Sequence, residues 1–281
     1  MSYLDHIDRC NAWEPSHFVP FTIDGLVLGR VKPAFAARLA AFPEVFVVDD
    51  DGVALAPGLD GFEARSAAVE GVLRALEADG AIAGWRGEDY PVATSFTAPP
   101  LLRMERAAVP LMGVRSYGVH VNGFVRKGGA IEMWIGRRAR DKPTYPGMLD
   151  NFVAGGQPIG IGLMDNLIKE AAEEAGVPRE IAARAVPVGA VTYCMETEDG
   201  LKPDVQFAFD LELPAGFTPR NVDGELEEFY LWPVERVMDV TRDTSAFKFN
   251  CNLINIDFFL RHGLIAPDDP DYLEILAGLR R

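Results

Sequence analysis

The stretch FVAGGQPIGIGLMDNLIKEAAEEAGVP, Phe152 to Pro178, limits what this chain can fold into more than any other. A short apolar run that reads as a strand leads into Gly155, Gly156, Gly160 and Gly162. An amphipathic helix follows, which Gly176 and Pro178 stop sharply. Glu170, Glu173 and Glu174 crowd into little more than one helical turn. Like charges at that spacing weaken an isolated helix by about a few tenths of a kcal/mol per pair. With Leu167 at zero and roughly 100° per residue, Ala171, Ala175, Ile168 and Ala172 form an apolar stripe about 140° wide. Glu174 falls about 20° outside that stripe and Glu170 about 60°, on one face, with Glu173 further round. Three carboxylates converging at the edge of a core repel one another unless a cation neutralises them. Hard divalent ions such as Mg²⁺ or Mn²⁺ take oxygen ligands and keep waters for a substrate's phosphates. Alone, the same residues also fit an ordinary solvated acidic face. The glycine loop favours the metal, because glycines let backbone approach an ion or phosphate closely.

Around this segment the pattern is that of an α/β chain. In the first hundred residues, FTIDGLVLGRV alternates like a strand and KPAFAARLAAF reads as a short helix. EVFVVDDDGVALA reads as two strands about an Asp-Gly turn, and FEARSAAVEGVLRALEADG as a helix ended by Gly80. Pro99-Pro100 breaks the pattern. Beyond it, LLRMERAAVPLMGV, GVHVNGFVRKG, AIEMWIGRRA, VPVGAVTYCMETEDG, PDVQFAFDLEL and EEFYLWPVERVMDVT read as strands. CNLINIDFFLRHG reads as a helix with Gly263 as its stop, and PDYLEILAGLRR as a closing helix. Strands before, around and after one central helix predict a mixed sheet flanked by helices. The expected division is a small α/β unit over residues 1–110 and a second unit over residues 111–281.

A net charge of −15 disfavours nucleic acid and anionic membranes as partners. The chain has one local reversal, from Arg103 to Lys142, which includes Arg106, Arg115, Arg137 and Arg138 and suits a small anionic ligand. Cys10, Cys194 and Cys251 are odd in number and far apart, so neither a zinc site nor a disulfide framework is expected, and a cytoplasmic setting fits best. No apolar run reaches the ~20 residues of a membrane helix, and the first residues lack the apolar core of a secretion signal. Association into a homodimer is left open.

Gly155, Lys169-Glu170, Glu173-Glu174 and Gly176-Val177 fall at the offsets of the Nudix box, G-x5-E-x7-R-E-U-x-E-E-x-G-U with U aliphatic. The box glutamate is Ile161 here and the box arginine is Lys169. The segments HVNGFV, KPTYPGMLDNFVAGGQP, PVGAVTY, PDVQFAFDLELP, DGELEEF and FKFNCNLINIDFFLRHG widen the likeness over residues 113–276. The chain resembles a Nudix branch with an extra N-terminal domain, related to the Nudix part of fungal thiamine pyrophosphokinase and to plant plastid Nudix proteins. That resemblance implies a Nudix α/β/α sandwich preceded by a small α/β domain. It implies Mg²⁺- or Mn²⁺-dependent hydrolysis of a small organic diphosphate, thiamine diphosphate or an oxidised analogue, to the monophosphate.

By the same resemblance Glu170, Glu174 and the Gly155 carbonyl would hold metal, and Glu173 would be a third ligand or a base. Glu228 is the first candidate for a later catalytic carboxylate, with Glu225 and Glu227 behind it. Lys142 and Lys248 would meet phosphate and Tyr145 the ring, with Gln157 also at the substrate and Phe247 beside Lys248. His120 reads as a satisfied core histidine. A non-catalytic Nudix-fold sensor of a diphosphate is the alternative that Ile161 keeps open. An isopentenyl-diphosphate isomerase would need a cysteine before the box, and none occurs between Cys10 and Cys194. A decapping role would need a basic stripe.

Overall fold

Apolar residues at every second position build the central strand, which is buried on both faces because helices cover both. The computed structural model describes residues 1–142 and 144–281; Pro143, within the KPTYPG segment, lies outside the described residues. In chain order the first elements are α1 (Tyr3–Cys10), β1 (Val19–Ile23), β2 (Leu26–Val31), α2 (Pro33–Leu39), β3 (Phe46–Asp49), β4 (Gly52–Leu55) and α3 (Gly61–Ala78). Then come β5 (Asp89–Val92), β6 (Leu102–Glu105) and a 3-10 turn, Arg106–Ala108, running into α4 (Val109–Met112). The expected single strand FTIDGLVLGRV is a hairpin. Asp24 and Gly25 both take positive φ, 52° and 76°, and fold β1 back on β2. The first sheet has the order β2-β1-β4-β3, with β1 and β4 parallel. It packs with α2, α3 and the β5–β6 pair around Phe21, Phe46, Leu73 and Met104.

The larger sheet follows. β7 (Tyr117–Lys127), β8 (Ala130–Arg138), β9 (Leu149–Asp150) and β10 (Val153–Gly156) lead to α5 (Leu163–Ala175) and α6 (Arg179–Ala182). β11 (Val186–Glu196), β12 (Leu201–Glu212) and β13 (Leu226–Pro233) precede α7 (Val234–Asp243), α8 (Phe249–Arg261) and α9 (Tyr272–Gly278). The sheet order is β11-β12-β7-β8-β13, with β10 on β7 and β9 on β8. β12 runs parallel to β7 while the other pairs are antiparallel, so the sheet is mixed. Val119 and Val121 face one side, with Leu167, Ala171 and Ala175 of α5. Phe124 and Ala208 face the other, with Ile254 and Phe258 of α8. The result is a helix–sheet–helix sandwich behind a smaller α/β unit.

Two details cross the division drawn at residue 110. The core of the first unit runs on through Met112 and Val114. In the other direction, α1 packs into the second unit, burying Tyr3, Ile7 and Cys10 among residues of α8 and β11. No helix of the described residues is long and apolar enough to cross a membrane.

Candidate active site

β10 ends in Gly155 and Gly156, paired with Val119 and Gly118 of β7. Both glycines are dictated by close approach. A Cβ on Gly155 would overlap the Glu170 side chain, and one on Gly156 would overlap the Tyr90 hydroxyl. The loop from Gln157 to Gly162 is braced without the box glutamate. The Asn166 amide donates to the Gly156 carbonyl at 2.7 Å and to Gln157 Oε1 at 3.1 Å, and Gln157 Nε2 donates to the Ile161 carbonyl at 2.6 Å. The Ile159 N–H donates to the Asp89 carbonyl of β5 at 2.9 Å. Neutral amides and a strand of the first unit therefore hold this loop, in which Ile161 stands at the position of the box glutamate. Gln157, expected at the substrate, is instead buried, with both ends of its amide used by the loop.

The helix places its glutamates differently from the wheel. Glu174, expected at the edge of the stripe, is 5% exposed, whereas Ala172 faces solvent. Glu174 Oε2 accepts the Ala154 N–H at 2.9 Å. Burial pushes its carboxyl well above the usual carboxylate range, against that hydrogen bond, and Asp150, Glu170 and Glu225 add to the rise. Glu170 is also raised by burial, opposed by Lys169. Glu173 does not converge with them. It lies on the solvent side, where the Lys169 ammonium bridges Glu170 at 2.8 Å and Glu173 at 3.1 Å. Two carboxylates penalised by burial beside a glycine backbone suit a hard divalent cation, which restores the ionised state that burial disfavours.

Among the described residues, one group of three potential ligands lies within 4.8 Å, and it is His120, Asp150 and Cys251. Protein partners satisfy that group. Arg138 donates to Asp150 at 2.8 Å, the Cys251 thiol donates to Asp150 at 2.8 Å, and Asn151 pairs with His120 Nδ1 at 2.8 Å. Burial lowers His120 to about 4, helped by Lys248, so it is a neutral core histidine.

A cavity of about 600 Å³ opens over Gly155 and Gly156. One wall comes from Arg86, Tyr90 and Arg106 of the first unit. The lining also includes Tyr145, Lys248, Phe249 and Asn250, and Tyr117, Tyr193 and Asp204. Asp204 is 8% exposed and accepts from Ser116 Oγ at 2.8 Å and Tyr193 Oη at 2.9 Å. Tyr145 and Lys248 line the cavity. Lys142 does not. It is mostly buried and ion-paired with Glu225. Phe247 is a core residue, 1% exposed. Glu228 is more than half exposed, facing Arg137 at 3.6 Å and hydrogen-bonded by Tyr230. The later carboxylate that acts on Glu174 is Glu225. Glu227 is held by Arg140 at 3.5 Å. Asp204, Tyr90 and Arg106 were missed as site residues; of these, only Arg106 carried a signal, as part of the basic stretch.

Comparison with known proteins fits this geometry. A family model described as a domain of unknown function (DUF4743) matches residues 2–116. The chain is 43% identical to Nudix hydrolase 20, chloroplastic, of Arabidopsis thaliana, over 99% of this chain and 77% of that protein. The chain belongs to the Nudix hydrolase family. Nudix hydrolase 24, chloroplastic, of the same plant is 44% identical with the same coverage. Among solved structures, the Ap4A hydrolase of C. elegans aligns at 14% identity and a TM-score of 0.40, over 53% of this chain and 99% of that one. As a Nudix hydrolase, the chain is a metal-dependent pyrophosphohydrolase.

Proposed function

We propose that this Nudix hydrolase cleaves a small organic diphosphate with a heteroaromatic body, thiamine diphosphate or an oxidised analogue, to the monophosphate. The observation that carries this is the cavity over Gly155 and Gly156, whose lining holds both phosphate-directed and aromatic groups. Gly155 packs against Glu170 and the Ala154 N–H against Glu174, and the cavity lining includes the buried Asp204 carboxylate, which accepts from Tyr193, together with Tyr117. A carboxylate inside an aromatic enclosure suits a cationic ring. Glu170 and Glu174 would hold Mg²⁺ or Mn²⁺, with the Gly155 carbonyl beside them. The ion supplies charge neutralisation for the diphosphate and an activated water. Glu173, half exposed and paired with Lys169, would take a proton once substrate draws Lys169 away from it. Lys248, in the cavity lining, would supply positive charge and Tyr145 a ring face.

The test is a hydrolysis screen across thiamine diphosphate, its oxidised analogues, ADP-ribose, nucleoside triphosphates and CoA, with Mg²⁺ and with Mn²⁺. Thiamine-type diphosphates are expected to rank first by kcat/KM. A clear preference for dinucleotides would overturn the assignment.

A further inference from the structure

The first unit does more than lean on the catalytic one. Arg106 follows directly on β6, and four hydrogen bonds fix the backbone at and around it. Its N–H donates to the Glu88 carbonyl at 2.9 Å. The buried Glu105 carboxylate accepts from the Arg86 and Gly87 N–H groups at 2.8 and 3.0 Å, and from the Ala107 N–H at 3.2 Å. Its guanidinium is half exposed, opens into the cavity and sits 3.4 Å from where a Cβ on Gly156 would stand. Gly156 is next to Gly155, which lies against Glu170, so the guanidinium and the expected metal-binding carboxylates share one stretch of backbone. Its present partner is Glu88, at 2.8 Å. Lys169 is engaged by two carboxylates, Glu170 and Glu173, and Lys142 is mostly buried against Glu225. A diphosphate carries more negative charge than one divalent ion cancels, and a planar guanidinium can bind two phosphoryl oxygens at once.

We infer that Arg106 binds the diphosphate of the substrate, so that the N-terminal unit supplies one wall of the active site and part of its affinity for phosphate. The inference deepens the diphosphatase reading and rests on it for the identity of the ligand, but a binding measurement tests it without turnover. The full-length protein and its Arg106→Gln and Arg106→Lys variants are titrated calorimetrically with methylenediphosphonate, a non-hydrolysable diphosphate, in Mg²⁺. Thermal melts establish that each is folded. Arg106→Gln is expected to weaken binding roughly 10- to 100-fold and to raise KM more than it lowers kcat. Arg106→Lys is expected to recover part of the loss, because an ammonium keeps the charge without the fork. The lysine variant also serves if the glutamine variant does not fold. A merely structural arginine would move the melting temperature and leave the affinity of the folded fraction unchanged. Wild-type affinity in both folded variants, or no diphosphonate binding by the wild type, overturns the inference. A wild type that binds diphosphonate through Arg106 yet hydrolyses nothing would sink the hydrolase reading alone.

Discussion

Glu174 carries the clearest conflict at the level of single residues. It is fully enclosed, and burial holds its carboxyl well above the ordinary value. A carboxylate raised in the folded state favours the fold when protonated, and that contribution is lost as pH rises from the unfolded value of ~4.5 toward the folded one. Glu174→Gln keeps an acceptor for the Ala154 N–H and removes this penalty. In EDTA above pH 6 the variant is therefore expected to melt no lower than the wild type. Mg²⁺ should raise the melting temperature of the wild type only, and turnover of the variant should fall at least about 100-fold. His120 works in the opposite direction. Its folded value of about 4 lies below the ordinary 6.5, so protonation favours the unfolded chain. Its contribution is complete above pH 6.5 and is lost as pH falls from there to about 4, by up to roughly 3 kcal/mol. Urea titrations across that range should show a decline that His120→Asn lacks. The depth of His120 was legible in the sequence, but that of Glu174 was not. A helical wheel gives Glu174 an angle, whereas its burial depends on β10 passing directly over it.

The decisive unit among the elements is the loop from Gln157 to Gly162. Asn166→Ala removes the donations to Gly156 and Gln157. The expected result is a stability loss of about 1–2 kcal/mol, faster amide exchange through residues 157–162, and a kcat reduced by more than the melting point suggests. Unchanged exchange in that loop would mean that the bond from Ile159 to Asp89 suffices alone. The spacing of the motif made this loop visible from the sequence, and Ile161 marked where its usual brace is missing. The replacement brace was hidden because it uses Asn and Gln, which carry no charge pattern, and the carbonyl of a distant strand. The Asp24-Gly25 turn was hidden for a different reason. Both flanking runs are apolar and alternate in phase, so period alone reads them as one strand, although Asp-Gly is the same signal that marked the turn after β3. Lys142 and Gln157 have the right chemistry for phosphate and amide contacts. Their side chains are instead taken up by Glu225 and the Ile161 carbonyl.

The whole molecule is tied together at both ends of the chain. Deleting residues 1–11 would strip Tyr3, Ile7 and Cys10 from the core against α8. A urea titration is expected to show a loss of roughly 4–8 kcal/mol, and a loss under about 1 kcal/mol would show that the core closes without α1. The sequence suggested a mixed sheet with flanking helices because the periodicities of its strands and helices are strong. It could not show that residues before position 110 face the glycine loop, since no local pattern records which surfaces meet. That meeting has a consequence for portability. A piece cut from β7 onward would keep all three glutamates, the glycines and the closing helices, and so carry the whole recognisable signature. It would lack Asp89, Tyr90 and Arg106, and would arrive in a new host with a slack loop and an open side. Transplanting the activity means moving both units together, and a relative that had lost the first one would need a charged brace of its own.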